Sequence, residues 1–178
     1  RDAHTAIVFK DKIWLLGGVG GISPDYSQNY SDIWSSDDGA NWTLAANKAP
    51  WGPRRAHDSV VFDNKIWILG GVTTDEKYLN EVWSSEDGIN WIQVPKNGGW
   101  SPRKGFGSVV YNNKIWVVGG ASSEGMKNDV WYSENGKDWF LAVDKAGWSP
   151  RYDMAIEVFG NRLWLSGGVF PGELGMPE

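Results

Sequence analysis

The chain is written in short runs in which apolar and polar positions alternate, each closed by residues that favour turns. Ser59 to Phe62 (SVVF) meets Asp63-Asn64 and then KIWILGG, from Lys65 to Gly71. Alternation over four to eight residues, bounded by Gly, Asn and Asp, predicts half-buried β-strands, and no segment keeps the helical spacing over a useful length. The order of runs repeats. IWLLGG ends at Gly18, IWILGG at Gly71, IWVVGG at Gly120 and LWLSGG at Gly168, separations of 53, 49 and 48 residues. After the first three comes an acid two residues before a tryptophan (Trp34, Trp83, Trp131), then a polar hairpin ending in Trp42, Trp91 or Trp139. A connector carrying Trp51, Trp100 or Trp148 leads to Pro-Arg at Arg54, Arg103 or Arg151.

Each unit therefore holds four strands, a to d. Strands a and b are joined by two residues such as Asp63-Asn64, Asn112-Asn113 or Gly160-Asn161, types that accept the positive φ of tight hairpins. Strands c and d meet at Gly39, Gly88 or Gly136. Tandem four-stranded units of about 50 residues are what a ring of radially packed sheets uses. The expected fold is all-β: a β-propeller of four-stranded antiparallel blades, at about 1–50, 51–99 and 100–147, with two strands of a fourth blade in 148–178. All 13 tryptophans fall in the repeat columns, so none is left for a special task.

The Gly-Gly pairs, the spaced aromatics and the Pro-Arg before strand a resemble the kelch repeat, and with it the propellers of the galactose-oxidase type. The resemblance implies a ring of six or seven blades, so further blades are expected from missing residues or, in the alternative, from another chain. The c–d hairpins are similar to the Asp-box of sialidase-type propellers, read here as Ser35, Asp37, Gly39, Asn41 and Trp42. In that register Glu86 and Glu134 replace the Asp, and Tyr132 replaces the Ser.

Charge and composition narrow the function. A net charge of -5 and a lack of any basic stripe exclude a nucleic-acid backbone as partner. No apolar run is long enough to span a bilayer as a helix. Without cysteine there is no thiol nucleophile or thiolate metal site, and the copper centre of galactose oxidase lacks its Cys-linked Tyr. His4 and His57 share one repeat column and lack further ligands, so no metal or other cofactor is expected.

The b–c loop is the only segment whose length changes, with 13 residues (Val19 to Ser31), 9 (Val72 to Asn80) and 8 (Ala121 to Asn128). Strand direction places these loops and the d–a connectors on one rim, the expected binding face. With strand a lining the channel, Arg54, Arg103 and Arg151, in column with Arg1, are expected as a partial ring at its mouth. Such a ring could hold carboxylate or sulfate; the competing reading braces the blades with the same arginines. Residues that break the repeat at the start of strand a complete the candidate face: Arg55, His57, Lys104, Phe106, Tyr152, Asp153 and Met154. Tyr26, Tyr30, Tyr78 and Met126 join them from the loops. The leading expectation is a non-catalytic recognition module for a protein or glycan, by resemblance extracytoplasmic or secreted. The alternatives are part of a glycan-active enzyme of the sialidase kind, hinted at by the arginine column with Tyr152 and Asp153, and an architectural subunit.

Overall fold

The structure is a computed structural model and describes residues 1–20 and 28–170 of the 178. The first sheet runs β1 (Thr5–Phe9), β2 (Lys12–Gly20), β3 (Gln28–Ser36), β4 (Thr43–Ala46), and the second β5 (Asp58–Phe62), β6 (Lys65–Val72), β7 (Tyr78–Ser85), β8 (Ile92–Gln93). In the third, β9 (Arg103–Lys104) pairs with β11 (Lys114–Ser122), which lies between β10 (Gly107–Tyr111) and β12 (Gly125–Ser133), with β13 (Phe140–Val143) outside. A two-stranded sheet of β14 (Tyr152–Phe159) and β15 (Arg162–Val169) follows. All pairings are antiparallel and, apart from β9 with β11, join neighbours in sequence, so the described residues form three complete blades and two strands of a fourth. No helix of the described residues is long and apolar enough to cross a membrane.

The a–b turns close as expected. Asp63 and Asn64 have φ of 50° and 52°, and Asn112 and Asn113 have 49° and 54°, the double left-handed geometry that matches strand twist. Each strand-b indole then donates across its own hairpin, Trp14 to the Phe9 carbonyl at 3.0 Å and Trp67 to that of Phe62 at 2.9 Å.

The core lies between sheets, because alternate residues of one strand face opposite neighbours. Ile66 and Ile68 of β6 pack with Trp14, Leu16, Ile33 and Trp51 towards the first blade. Trp67 and Leu69 pack with Ile115, Val117, Trp100 and Phe106 towards the third. Seven of the eight positions of β6 are consequently buried, whereas β15 on the last sheet has none buried. Blades also interlock through their c–d turns. A Cβ on Gly88 would overlap the Trp14 ring, and one on Gly136 would overlap that of Trp67, so each tryptophan occupies the space that a turn glycine of the next blade leaves free.

Two expectations need correction. The b–c segments are in part strand: β11 and β12 are joined by Ser123 and Glu124 alone, and β6 and β7 by residues 73–77. A bulge at the first three Gly-Gly pairs, seen as a register shift between Leu16 and Gly18, Leu69 and Gly71, and Val118 and Gly120, lets pairing resume beyond it. The Asp-box register also moves by one residue. Ser36 Oγ accepts from the Gly39 amide at 2.8 Å, and Asp38 Oδ1 accepts from the amides of Ala40 and Asn41 at 2.9 and 2.7 Å. Ser85 with Asp87, and Ser133 with Asn135, repeat the arrangement, so the box has no gap at Glu86, Glu134 or Tyr132.

Candidate ligand-binding face

The arginine column does not stand open at the channel mouth. Arg54 and Arg103 are 2% and 1% exposed, and their guanidinium groups bond within their own blade. Arg103 Nη1 and Nη2 grip Asp129 at 2.6 and 2.8 Å, and Nη1 also donates to the Gly119 carbonyl at 2.8 Å. Arg54 bonds Glu81 at 2.8 Å, the Gly70 carbonyl at 3.1 Å and the carbonyl of Trp51. The strand-c indoles complete each brace: Trp83 Nε1 donates to Glu81 and Trp131 Nε1 to Asp129. Burial works to raise the pKa of Asp32, Glu81 and Asp129, yet the bonds from Arg1, Arg54, Arg103 and the indoles hold all three below the ordinary range. The first-Gly carbonyl is turned outward by its positive φ, and an arginine reaches that carbonyl and the strand-c acid together. The forked geometry satisfies both. Arg151 is more open, donating to the Gly167 carbonyl at 2.7 Å and lying over the Phe170 ring.

Other members of the predicted set separate into buried and accessible groups. His57 and Phe106 are each 5% exposed and belong to the packing between blades, Phe106 against Trp100 with ring centres 5.6 Å apart. Met154 is buried as well. Burial, reinforced by the Arg54 charge, pushes the His57 imidazole down to about 3, so it is neutral at physiological pH. Arg55 stays on the rim, bonded to Asn29 Oδ1 at 3.1 Å and paired with Glu76. Lys104 lies over the Tyr78 ring at 5.7 Å, and Tyr30 receives the Arg1 guanidinium at 4.4 Å. Tyr152 and Met126 are partly exposed at the first and second positions of their strands. Tyr26 lies outside the described residues.

A belt of backbone hydrogen bonds runs around the inner edge of the blades. The amide of Ala56 donates to the Ala3 carbonyl at 2.9 Å, Gly105 to Ala56 at 2.9 Å, and Asp153 to Gly105 at 2.7 Å. All four have left-handed φ, 49°, 48°, 58° and 54° in chain order, so the kink that ends each Arg-x segment aims its peptide groups at the next blade. Just inside the belt Asp58 links two blades, its Oδ1 accepting from the Ser59 amide at 2.8 Å and its Oδ2 from the Ser108 amide at 2.6 Å. Burial pushes its carboxyl up to about 6. The sequence signal for Asp58 was present: its column is otherwise Thr5, Gly107 and Ala155. Glu81 and Asp129 were visible too, but only as strand acids, because nothing local to them announces a partner 26 or 27 residues away.

The sequence profile of the KLHDC2/KLHL20/DRC7 Kelch-repeats domain matches residues 3–174. The chain belongs to the kelch-repeat family. No curated protein sequence is similar enough to count as a relative. Among solved structures the chain is similar to one titled "Structure of YjhT", with a TM-score of 0.81 and 17% identity over 94% of this chain. That identity supports the fold alone, and the kelch chain spans 59% of the length of that protein.

Among the described residues, concavities open on the b–c side of these kelch blades. A cleft of about 380 Å³ lies between the Pro50–Arg54 connector and the second b–c loop, floored by Trp51, Leu79 and Trp83, with Glu81 beside them. Gly52, at φ 74°, stands where Ser101 and Ser149 occupy the later connectors. Those serines give their carbonyls to Arg103 and Arg151 Nε at 3.0 and 3.1 Å, whereas Arg54 Nε has no partner. The second concavity, about 250 Å³, is the channel mouth, lined by His4, Thr5, His57, Asp58, Phe106 and Asp153 among others.

Proposed function

We propose that the chain is a non-catalytic interaction module whose b–c rim docks a partner protein. The kelch assignment supports protein interaction as the coarse role. The observation that selects this rim is its departure from the repeat. Asp2, Arg55, Lys104 and Tyr152 occupy equivalent positions on successive blades, yet they share no chemistry while the backbone beneath them is repeated almost without change. A scaffold has no need of that variety; a surface fitted to one partner does. The sialidase-like reading loses the arginine cluster it requires, since Arg54 and Arg103 are committed to acids of their own blades.

The test is site-specific photocrosslinking in the full-length protein, with the crosslinker at Tyr78 on this rim or at Lys137 on the opposite one. Adducts to a discrete protein from Tyr78 are expected; adducts from Lys137 alone would assign the interaction to the wrong rim.

A glycan reading is favoured by one feature, the cleft beside Gly52, where aromatic and proline walls flank an acid as a sugar ring requires. With it goes an extracytoplasmic location. Binding of oligosaccharides that is lost on filling the cleft by Gly52→Trp would support it. Closure of the ring by further blades belongs to the same proposal. It rests on the apolar faces left uncovered at both outer sheets, where Val8 is 67%, Trp164 53% and Phe159 76% exposed.

A further inference from the structure

We infer that the channel mouth recognises a cationic group, the guanidinium or ammonium of a basic side chain presented by the partner protein; this rests on the docking rim proposed above and specifies what that rim reads. The sign is the reverse of what the arginine column suggests.

The basic groups of the strand-a columns are engaged already, Arg151 with the carbonyls of Ser149 and Gly167 and the others with acids or a ring. Arg1, Arg54, Arg55 and Arg103 pair with Asp32, Glu81, Glu76 and Asp129, and Lys104 is held over Tyr78. Asp153, in contrast, has no side-chain hydrogen bond or ion pair among the described residues, and its carboxylate is accessible at the mouth. Asp58 lies deeper in the same concavity. His57 lines it too, neutral and almost wholly buried, with an Nδ1 that has no hydrogen-bond partner. Asp153 is thus the carboxylate at this space that has no hydrogen bond or ion pair among the described residues. A protonated nitrogen entering it would form charge-assisted bonds with Asp153.

Room for the carboxylate is built into the neighbouring blade. Ala3 and Ala56 adopt the same left-handed backbone as Gly105, so the dihedral angle alone does not demand glycine at that column. Space does: a Cβ on Gly105 would overlap Asp153 Oδ1. The one blade that lacks a side chain at this column is the one against which the acidic side chain rests. Desolvation raises the Asp153 pKa, partly offset by the Lys104 charge, the direction expected of a carboxylate crowded into a recess without a counter-ion in contact.

The experiment is amide NMR on the full-length protein titrated with acetyl-Gly-Arg-Gly-amide, acetyl-Gly-Lys-Gly-amide and acetyl-Gly-Glu-Gly-amide. The basic peptides are expected to shift the Gly105 and Asp153 amides, and Asp153→Asn to weaken them at least about tenfold. Gly105→Ala, whose backbone requirement is met by alanine on two other blades, should displace the carboxylate and weaken binding similarly. Three results would each overturn the inference: no shift with either basic peptide up to about 10 mM, equal or tighter binding of the Glu peptide, or full affinity in a folded Asp153→Asn protein. If Tyr78 crosslinking to the partner survives in Asp153→Asn while peptide binding fails from the start, only the cation site is lost and the docking rim stands.

Discussion

Arg103 does three things at once: it neutralises Asp129, satisfies the Gly119 carbonyl and, through Asp129, fixes the Trp131 indole. Removing it leaves a partly buried carboxylate without its counter-charge. Arg103→Ala should therefore cost on the order of 3 kcal/mol, read by denaturant unfolding. Arg103→Lys should recover less than half of that, because a single ammonium cannot fork between carboxylate and carbonyl. A cost near zero would return the arginine to the pool of free ligand-binding groups.

His57 and Asp58 make a second residue-scale prediction. The Asp58 carboxyl rises to about 6 on folding, so the folded chain holds an extra proton between about pH 4 and 6, and stability falls as pH rises through that window. His57 falls to about 3, so the unfolded chain holds the extra proton between about pH 3 and 6.5, and stability falls as pH drops through it. The two slopes oppose each other where they overlap. Asp58→Asn removes one and exposes the other. Thermal unfolding of the variant should show a loss of stability from pH 6 to 4.5 that the parent lacks, and a variant as flat as the parent would refute the assignment.

At the scale of elements, the c–d hairpin serves as a socket. Gly136, at φ 72°, combines left-handed backbone with contact against Trp67, while Gly52, at φ 74°, has open space around it. Gly52→Ala should cost roughly 1–2 kcal/mol from backbone strain alone. Gly136→Ala should cost about 2 kcal/mol more, since the Trp67 ring must also be displaced. Equal costs in chemical denaturation would show that the interlock contributes nothing. This socket also explains the misplaced Asp-box. The sequence offers Ser35 and Ser36, Asp37 and Asp38, in overlapping registers. Only the folded hairpin decides which serine faces inward: Ser36 is 2% exposed and caps the turn, while Asp37 turns out to meet Lys12 at 2.6 Å.

For the whole molecule, burial grades from the centre to the edges. β6 is covered on both faces, and β15 on one. Native-state hydrogen exchange should find the slowest amides in β6 and much faster ones in β15. In a longer chain that supplies the next blade, β15 should approach β6; unchanged β15 protection there would argue against ring closure on that face.

The repeat length, the four-strand unit, the a–b turns and the place of every tryptophan were legible in the sequence, because strand alternation and turn chemistry are local and each column is read several times over. The directions of Arg54 and Arg103, the partners of Glu81 and Asp129, and the empty space at Gly105 that admits Asp153 were settled only by packing. Each depends on groups that are brought together from distant strands or neighbouring blades, and no local pattern encodes the distance between them. A periodic sequence names the parts of each blade; which charges remain available is decided when the blades meet.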